Sequence, residues 1–200
     1  GTVSQLGFLV VVLGVGTRSA ALAGLGLLLA HALFKATLFL VVGIVDRTTG
    51  TRDLRELSGL WRARPVLATT AIAAGLSMAG VAPMLGFVAK ESTFLALLDV
   101  ARSGPGAGEG TGLPGWAAWA AVTAVVMGSA LTVAYTARFL WGTFADKHGV
   151  ATTGSRRPSP GFVLAPALRA ARGLGLGLAG PALTTLPCGT ARGCRCCSRC

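Results

Sequence analysis

His31 and Lys35 stand four residues apart in "LLLAHALFKATLFLVVGIVD", residues 27–46, a run otherwise built from apolar side chains. On an α-helix that spacing puts both on one face, about one turn from each other. Lys35 lies roughly 16 Å along such a helix from Asp46, which closes the run. A lysine at the centre of a membrane span costs at least about 2.5–3.5 kcal/mol on insertion scales, so its presence calls for a use. Lys90 repeats the theme. It follows Gly80, Pro83 and Gly86, which together break a helix, and it has Glu91 beside it. Burial favours the neutral amine and a nearby carboxylate favours the ammonium, while histidine exchanges protons near neutrality. Lys35, His31 and Lys90 are therefore candidate steps of a proton relay. Glu91 is a candidate modulator, because adjacent residues on a helix point in different directions. The alternative is that these side chains only pair with backbone carbonyls or an acid inside a helix bundle.

The elements that must carry them are membrane helices. Of the 200 residues 52% are hydrophobic and only 12% charged, against about 25% charged in soluble domains; the mean hydropathy is +0.67. The apolar runs 19–45, 65–100 and 115–145 each exceed the roughly 20 residues that cross a bilayer core. The expected fold is all-α, a polytopic transmembrane bundle with one discontinuous helix. The expected crossings are 4–17, 19–45, 65–100 (broken) and 115–142. Residues 146–187 form a loop and a weak further segment, weak because Arg169 and Arg172 interrupt 160–181.

Charge decides how often 65–100 crosses. The 46–64 loop holds Arg47, Arg52, Arg55, Arg62 and Arg64, and the 145–159 loop holds Lys147, Arg156 and Arg157. Only Arg18 separates the first two segments, and only Arg102 lies in 101–114. A single crossing makes poor and rich loops alternate, with 46–64 and 145–159 in the cytoplasm. A broken helix is expected where its exposed backbone lines a cavity or an ion site.

The net charge of +11 does not point to nucleic acid, because the arginines flank apolar spans and no basic helix is interleaved with aromatics. No nucleophile–base pair, Walker loop, dinucleotide fingerprint or metal motif appears, so no enzyme activity and no cofactor is expected. Ser4 and Gln5 can hydrogen-bond across helices, and Tyr135 and Arg138 read as interfacial anchors. All five cysteines fall in the final thirteen residues. Their spacing fits no ordinary zinc pattern, so 188–200 reads as a disordered or non-native tail. The chain opens without Met or a signal-like region and reads as a fragment of a longer protein.

The stretches "TVSQLGF", "AHALFKATLFLVVGIVD", "TGTRDLRELSGL" and "MAGVAPMLGFVAKEST", in that order, resemble the antiporter-like subunits shared by Mrp-type Na+/H+ antiporters and respiratory complex I. "VVGIVDRTTGTRDLRELSGL" is similar to the large A subunit of the Mrp antiporter. The resemblance covers residues 2–100 strongly and 115–165 loosely. It implies a multi-pass protein of the bacterial inner membrane, working with other antiporter subunits to couple H+ movement to Na+ efflux. It also implies that Lys35 is a central channel lysine, that His31 shares its hydrophilic axis, and that Lys90 sits toward the exit of a proton half-channel. Many relatives carry a second histidine where this chain has Leu27, which leaves the relay to His31 or to water. The family's upstream half is missing here. The competing readings are a proton-translocating membrane subunit of an NADH-quinone oxidoreductase and a truncated product that does not transport.

Overall fold

The apolar runs fold as helices, and short stretches of glycine, proline and threonine end them. The computed structural model describes residues 1–51, 53–103, 115–148 and 160–184. Among these the helices are α1 (Thr2–Gly14), α2 (Arg18–Thr49), the single turn α3 (Leu60–Ala63), α4 (Pro65–Ala79), α5 (Leu85–Ser103), α6 (Gly115–Phe144) and α7 (Pro160–Thr184). Thr17 adopts an extended conformation and its hydroxyl accepts the Ala20 N–H at 3.2 Å, a cap that stabilises the start of α2 by about 1 kcal/mol. Nothing interrupts α2 for 32 residues, or roughly 48 Å at 1.5 Å per residue. Pro65 opens α4 at its first position, where its missing N–H is harmless.

Around α2 pack α1, α4, α5 and α7, while α6 lies against α4 and α5. The start of α4 buries Leu67, Ala68 and Ala71 with Val41, Ile44 and Val45 near the end of α2. Farther on, Ala73, Ala74 and Ser77 reach Ala30 to Thr37 of α2. Beyond the break, Leu85, Ala89 and Asp99 of α5 line a groove with Gly26, Ala23 and Ser19. So α4 and α5 lie end to end, antiparallel to α2, as one discontinuous helix. Helix α7 runs in the same direction as α4 and α5. Its Phe162 ring sits under Arg47 at 5.8 Å, and Gly177 and Gly180 lie against Met84 and Val88.

The bundle is apolar outside as well as inside. Leu22, Leu25 and Phe39 of α2, Val3 and Val10 of α1, and Met127 and Leu131 of α6 are all exposed, as expected of helices that face lipid. Among the described residues, three helices are long and apolar enough to cross a membrane: Arg18–Thr49, Trp116–Phe144 and Gly161–Gly180. The last is the segment whose apolar run Arg169 and Arg172 interrupt in the sequence, yet it is a continuous helix. Beyond α6, the Lys147 ammonium donates to the Leu54, Leu57 and Gly142 carbonyls, which ties the 53–60 segment to the end of that helix. The tail at 188–200 lies outside the described residues.

Candidate functional site

Breaking a helix inside a membrane leaves backbone groups that water cannot reach. Gly80 ends α4 at φ +83°, a left-handed conformation that glycine adopts without penalty. Its N–H donates to the Leu76 and Ser77 carbonyls, and the Val81 N–H also donates to Leu76. On the other side, the Gly86 N–H donates to the Ser77 hydroxyl at 3.3 Å, which satisfies one early donor of α5. Gly86 has to be glycine for a second reason: a Cβ there would overlap the Ser77 carbonyl oxygen. Pro83 is exposed in the connecting turn, and Gly177 of α7 rests against the backbone of Pro83 to Leu85 with no room for a Cβ.

Lys90 completes this accounting. Its ammonium donates to the Ala79 carbonyl at 3.1 Å, the last carbonyl of α4 and the negative end of that half-helix. A Cβ added at Gly80 would meet the Lys90 Cδ at 2.8 Å, so the lysine stem passes directly over the glycine. Glu91, the next residue, is exposed.

Lys35 comes near the same end of α4 by way of Tyr135. A side chain at Gly1 would begin 2.7 Å from the Lys35 Nζ and 2.9 Å from the Tyr135 Oη, so these two polar groups meet at the start of α1. The Tyr135 hydroxyl donates to the Met78 Sδ at 3.7 Å, and Met78 is one residue before the carbonyl that Lys90 holds. The Lys35 ammonium also lies 6.0 Å from the centre of the Phe39 ring, at the limit of a cation–π contact. One turn earlier on α2, His31 packs edge-on against Phe34 with ring centres 5.4 Å apart. Its Nδ1 is buried without a hydrogen-bond partner, and so are both polar atoms of the Gln5 carboxamide. Each unpaired buried group costs about 1–3 kcal/mol.

These contacts gather at the α4 end: Lys90 bonds the Ala79 carbonyl, and Tyr135, beside Lys35 at the start of α1, reaches Met78. A small cavity opens at the same level between α2, α4, α5 and α7; its surface is mostly apolar, from Leu33, Phe34, Met84 and Leu85, with Thr37, Ser77 and Arg169 also in the lining. The chemistry available is proton exchange on amines, an imidazole and a phenol. The sequence alone places Tyr135 at the membrane surface and does not single out Ser77. Nearby Arg138 and the aromatic flank favour the surface reading, and only the approach of α6 to Met78 turns the hydroxyl inward. Ser77 does carry a legible signal, since a serine just before a glycine–proline break is a source of capping oxygen.

The family model described as "NADH:quinone oxidoreductase/Mrp antiporter, TM" matches residues 1–103. The chain belongs to this family. Among curated relatives, the A subunit of the Na(+)/H(+) antiporter of Bacillus subtilis is 42% identical over 110 residues, covering 50% of this chain and 14% of the relative. A probable A/B subunit of a K(+)/H(+) antiporter of Rhizobium meliloti is 43% identical over 98 residues, covering 49% and 10%. The A1 subunit of the Na(+)/H(+) antiporter of Staphylococcus saprophyticus is 34% identical over 160 residues, covering 74% and 19%. The chain thus spans between 10% and 19% of the length of these relatives. A chain in the solved Mrp complex from Dietzia sp. superposes with a TM-score of 0.73 at 42% identity, over 91% of this chain and 18% of that one. A chain of respiratory complex I from Thermus thermophilus gives 0.50 at 21% identity, over 90% and 43%, a likeness of fold alone. Family membership and the apolar helices make this a multi-pass bacterial membrane protein.

Proposed function

We propose that the chain is an ion-translocating part of the A subunit of a multisubunit monovalent cation/proton antiporter. In this reading it carries protons through Lys35, His31 and Lys90 to drive Na+ efflux, assembled with other antiporter subunits in the bilayer. The supporting observation is that Tyr135, which meets Lys35 at the start of α1, reaches Met78 one residue before the α4 carbonyl that Lys90 holds. A phenol both accepts and donates hydrogen bonds, so in this reading Tyr135 passes a proton on from Lys35 toward the α4 end without itself needing to ionise. The partial negative charge of the α4 terminus stabilises the Lys90 ammonium.

Coupling follows from repulsion between like charges along the path. A like charge nearby disfavours the protonated form of an amine, so a cation or proton arriving at one station favours release from the next. The antiporter reading is favoured over the NADH-quinone oxidoreductase reading by the 42% identity to the Mrp complex chain against 21% to the complex I chain.

The test is Lys35→Ala in the full-length parent protein, assayed in everted vesicles for Na+-driven proton exchange. Exchange is expected to fall by about a hundredfold or more, with assembly of the complex unchanged. Normal exchange would remove Lys35 from the path. Comparing Na+ with K+ in the same vesicles identifies the cation.

A further inference from the structure

Helices α1 and α2 form an antiparallel hairpin whose register is fixed at two points. Gly1 lies opposite Lys35, and Gly24 lies opposite Leu13 and Leu9. On α2, residues 24, 31 and 35 fall within about 40° of arc, one stripe facing α1. On α1, the buried residues Gln5, Phe8 and Val12 continue the stripe that begins at Gly1. Gln5 is one turn from Gly1, and His31 is one turn back from Lys35, so the two stand at the same level on facing stripes. Both are unsatisfied: Gln5 is 2% exposed, and neither its carboxamide nor the His31 Nδ1 has a hydrogen-bond partner.

We infer that Gln5 is the positioning residue for His31, its carboxamide pairing with Nδ1 directly or through one water. A carboxamide suits this place because it offers an acceptor and two donors. It accepts from Nδ1 when that nitrogen carries a proton and donates to Nδ1 when it does not. Pairing at Nδ1 holds the ring in one orientation and makes Nε2 the nitrogen that exchanges protons. The other polar or charged groups near this level are Lys35 on α2 and, on α6, Tyr135, Thr132 and Ser129, because Gly1 meets Tyr135 and Phe8 meets Gly128. Thr132 donates to the Gly128 carbonyl, while the buried Ser129 hydroxyl has no hydrogen-bond partner. A leucine or other apolar residue at position 5 fills the same space and cannot do this.

This inference rests on the proton-path reading above, and two measurements separate their failures. The first is a double-mutant cycle in the full-length parent within its complex, with Na+-driven exchange in everted vesicles as the readout. Gln5→Leu is expected to slow exchange by about tenfold, and to add nothing once His31→Phe is present. Losses that add in the double variant, or Gln5→Leu at the parental rate, overturn the inference. If His31→Phe alone exchanges normally, it is the path through His31 that fails. The second is a high-resolution map of the parental complex, which needs no variant to fold. It is expected to place the Gln5 carboxamide within hydrogen-bond reach of Nδ1 or of a water bound to it. A carboxamide bonded elsewhere, with Nδ1 held by another group, overturns the pairing whatever the transport data give.

Discussion

Two glycines with the same backbone allow the Lys90 contact to be weighed by itself. Gly50 and Gly80 each follow the last residue of a helix, at φ +76° and +83°, and each N–H closes the final turn, onto Asp46 and Leu76 respectively. They differ in what lies above them. A Cβ at Gly50 meets nothing within 4 Å, whereas one at Gly80 meets the Lys90 Cδ at 2.8 Å. Alanine at either site incurs the left-handed penalty of about 1–2 kcal/mol. At Gly80 it also pushes the lysine stem aside, and the flexible stem yields by drawing the ammonium off the Ala79 carbonyl. A hydrogen bond involving a charged group contributes about 1.5–3 kcal/mol. Gly50→Ala should therefore lower stability by about 1–2 kcal/mol and Gly80→Ala by about 2.5–5 kcal/mol.

The assay is equilibrium unfolding of the detergent-solubilised full-length protein, with proton exchange measured on the same two variants. Exchange should fall in Gly80→Ala and persist in Gly50→Ala, because only the first moves a candidate relay group. Equal stability losses in the two variants would show that the Lys90 ammonium contributes nothing at the α4 end, and the account of the break would be refuted.

Two further outcomes follow from the same site. Tyr135→Phe keeps the ring and removes the hydroxyl that reaches Met78; the complex should assemble normally while exchange drops by about tenfold or more, and undiminished exchange would assign Tyr135 to packing. Gly86→Ala forces a Cβ against the Ser77 carbonyl oxygen and should destabilise the protein by about 1–3 kcal/mol, visible as reduced assembled complex on native gels, whereas Gly43→Ala, with nothing within 4 Å, should assemble at parental levels.

Much of the fold is legible in the sequence because membranes enforce simple rules. An apolar run of sufficient length must be a helix, and the glycines and proline at 80, 83 and 86 mark the place where one stops. The distribution of arginines and lysines points to a single broken helix, and α4 and α5 do lie end to end along α2. Partner choice is not legible. The sequence offers Glu91 as the charge nearest to Lys90, but the lysine finds a main-chain carbonyl eleven residues back, and main-chain carbonyls are invisible in a pattern of side chains. Tyr135 likewise looks like a surface aromatic until the register of α6 against α4 turns it inward. Gln5 reads only as a residue able to bond across helices; what it faces depends on the Gly1–Lys35 and Gly24–Leu13 contacts, which are tertiary. Arg169 and Arg172 weigh against α7 in a hydropathy pattern, yet α7 is continuous and Gly177 backs the break.

The cost of an intramembrane lysine and the cost of a broken helix are one arrangement seen from two ends. A lysine in the bilayer needs a partner that favours its charge, and a helix broken in the bilayer needs donors for its last carbonyls. The Lys90 ammonium and the Ala79 carbonyl meet each other's need, so neither is left as an isolated penalty. The Ser77 hydroxyl does the same for one early donor of α5, the Gly86 N–H, and Gly80 and Gly86 leave the room that both contacts require. The balance also has a consequence for transport. If Lys90 gives up its proton, its amine keeps N–H donors but loses the charge that strengthens the bond to the Ala79 carbonyl. It also loses the attraction to the α4 terminus, so its hold on the break weakens at the level where Met78 and Tyr135 lie. A broken helix capped by a titratable side chain thus joins proton occupancy to the geometry of the break, which an unbroken helix with a lysine on its face would not do.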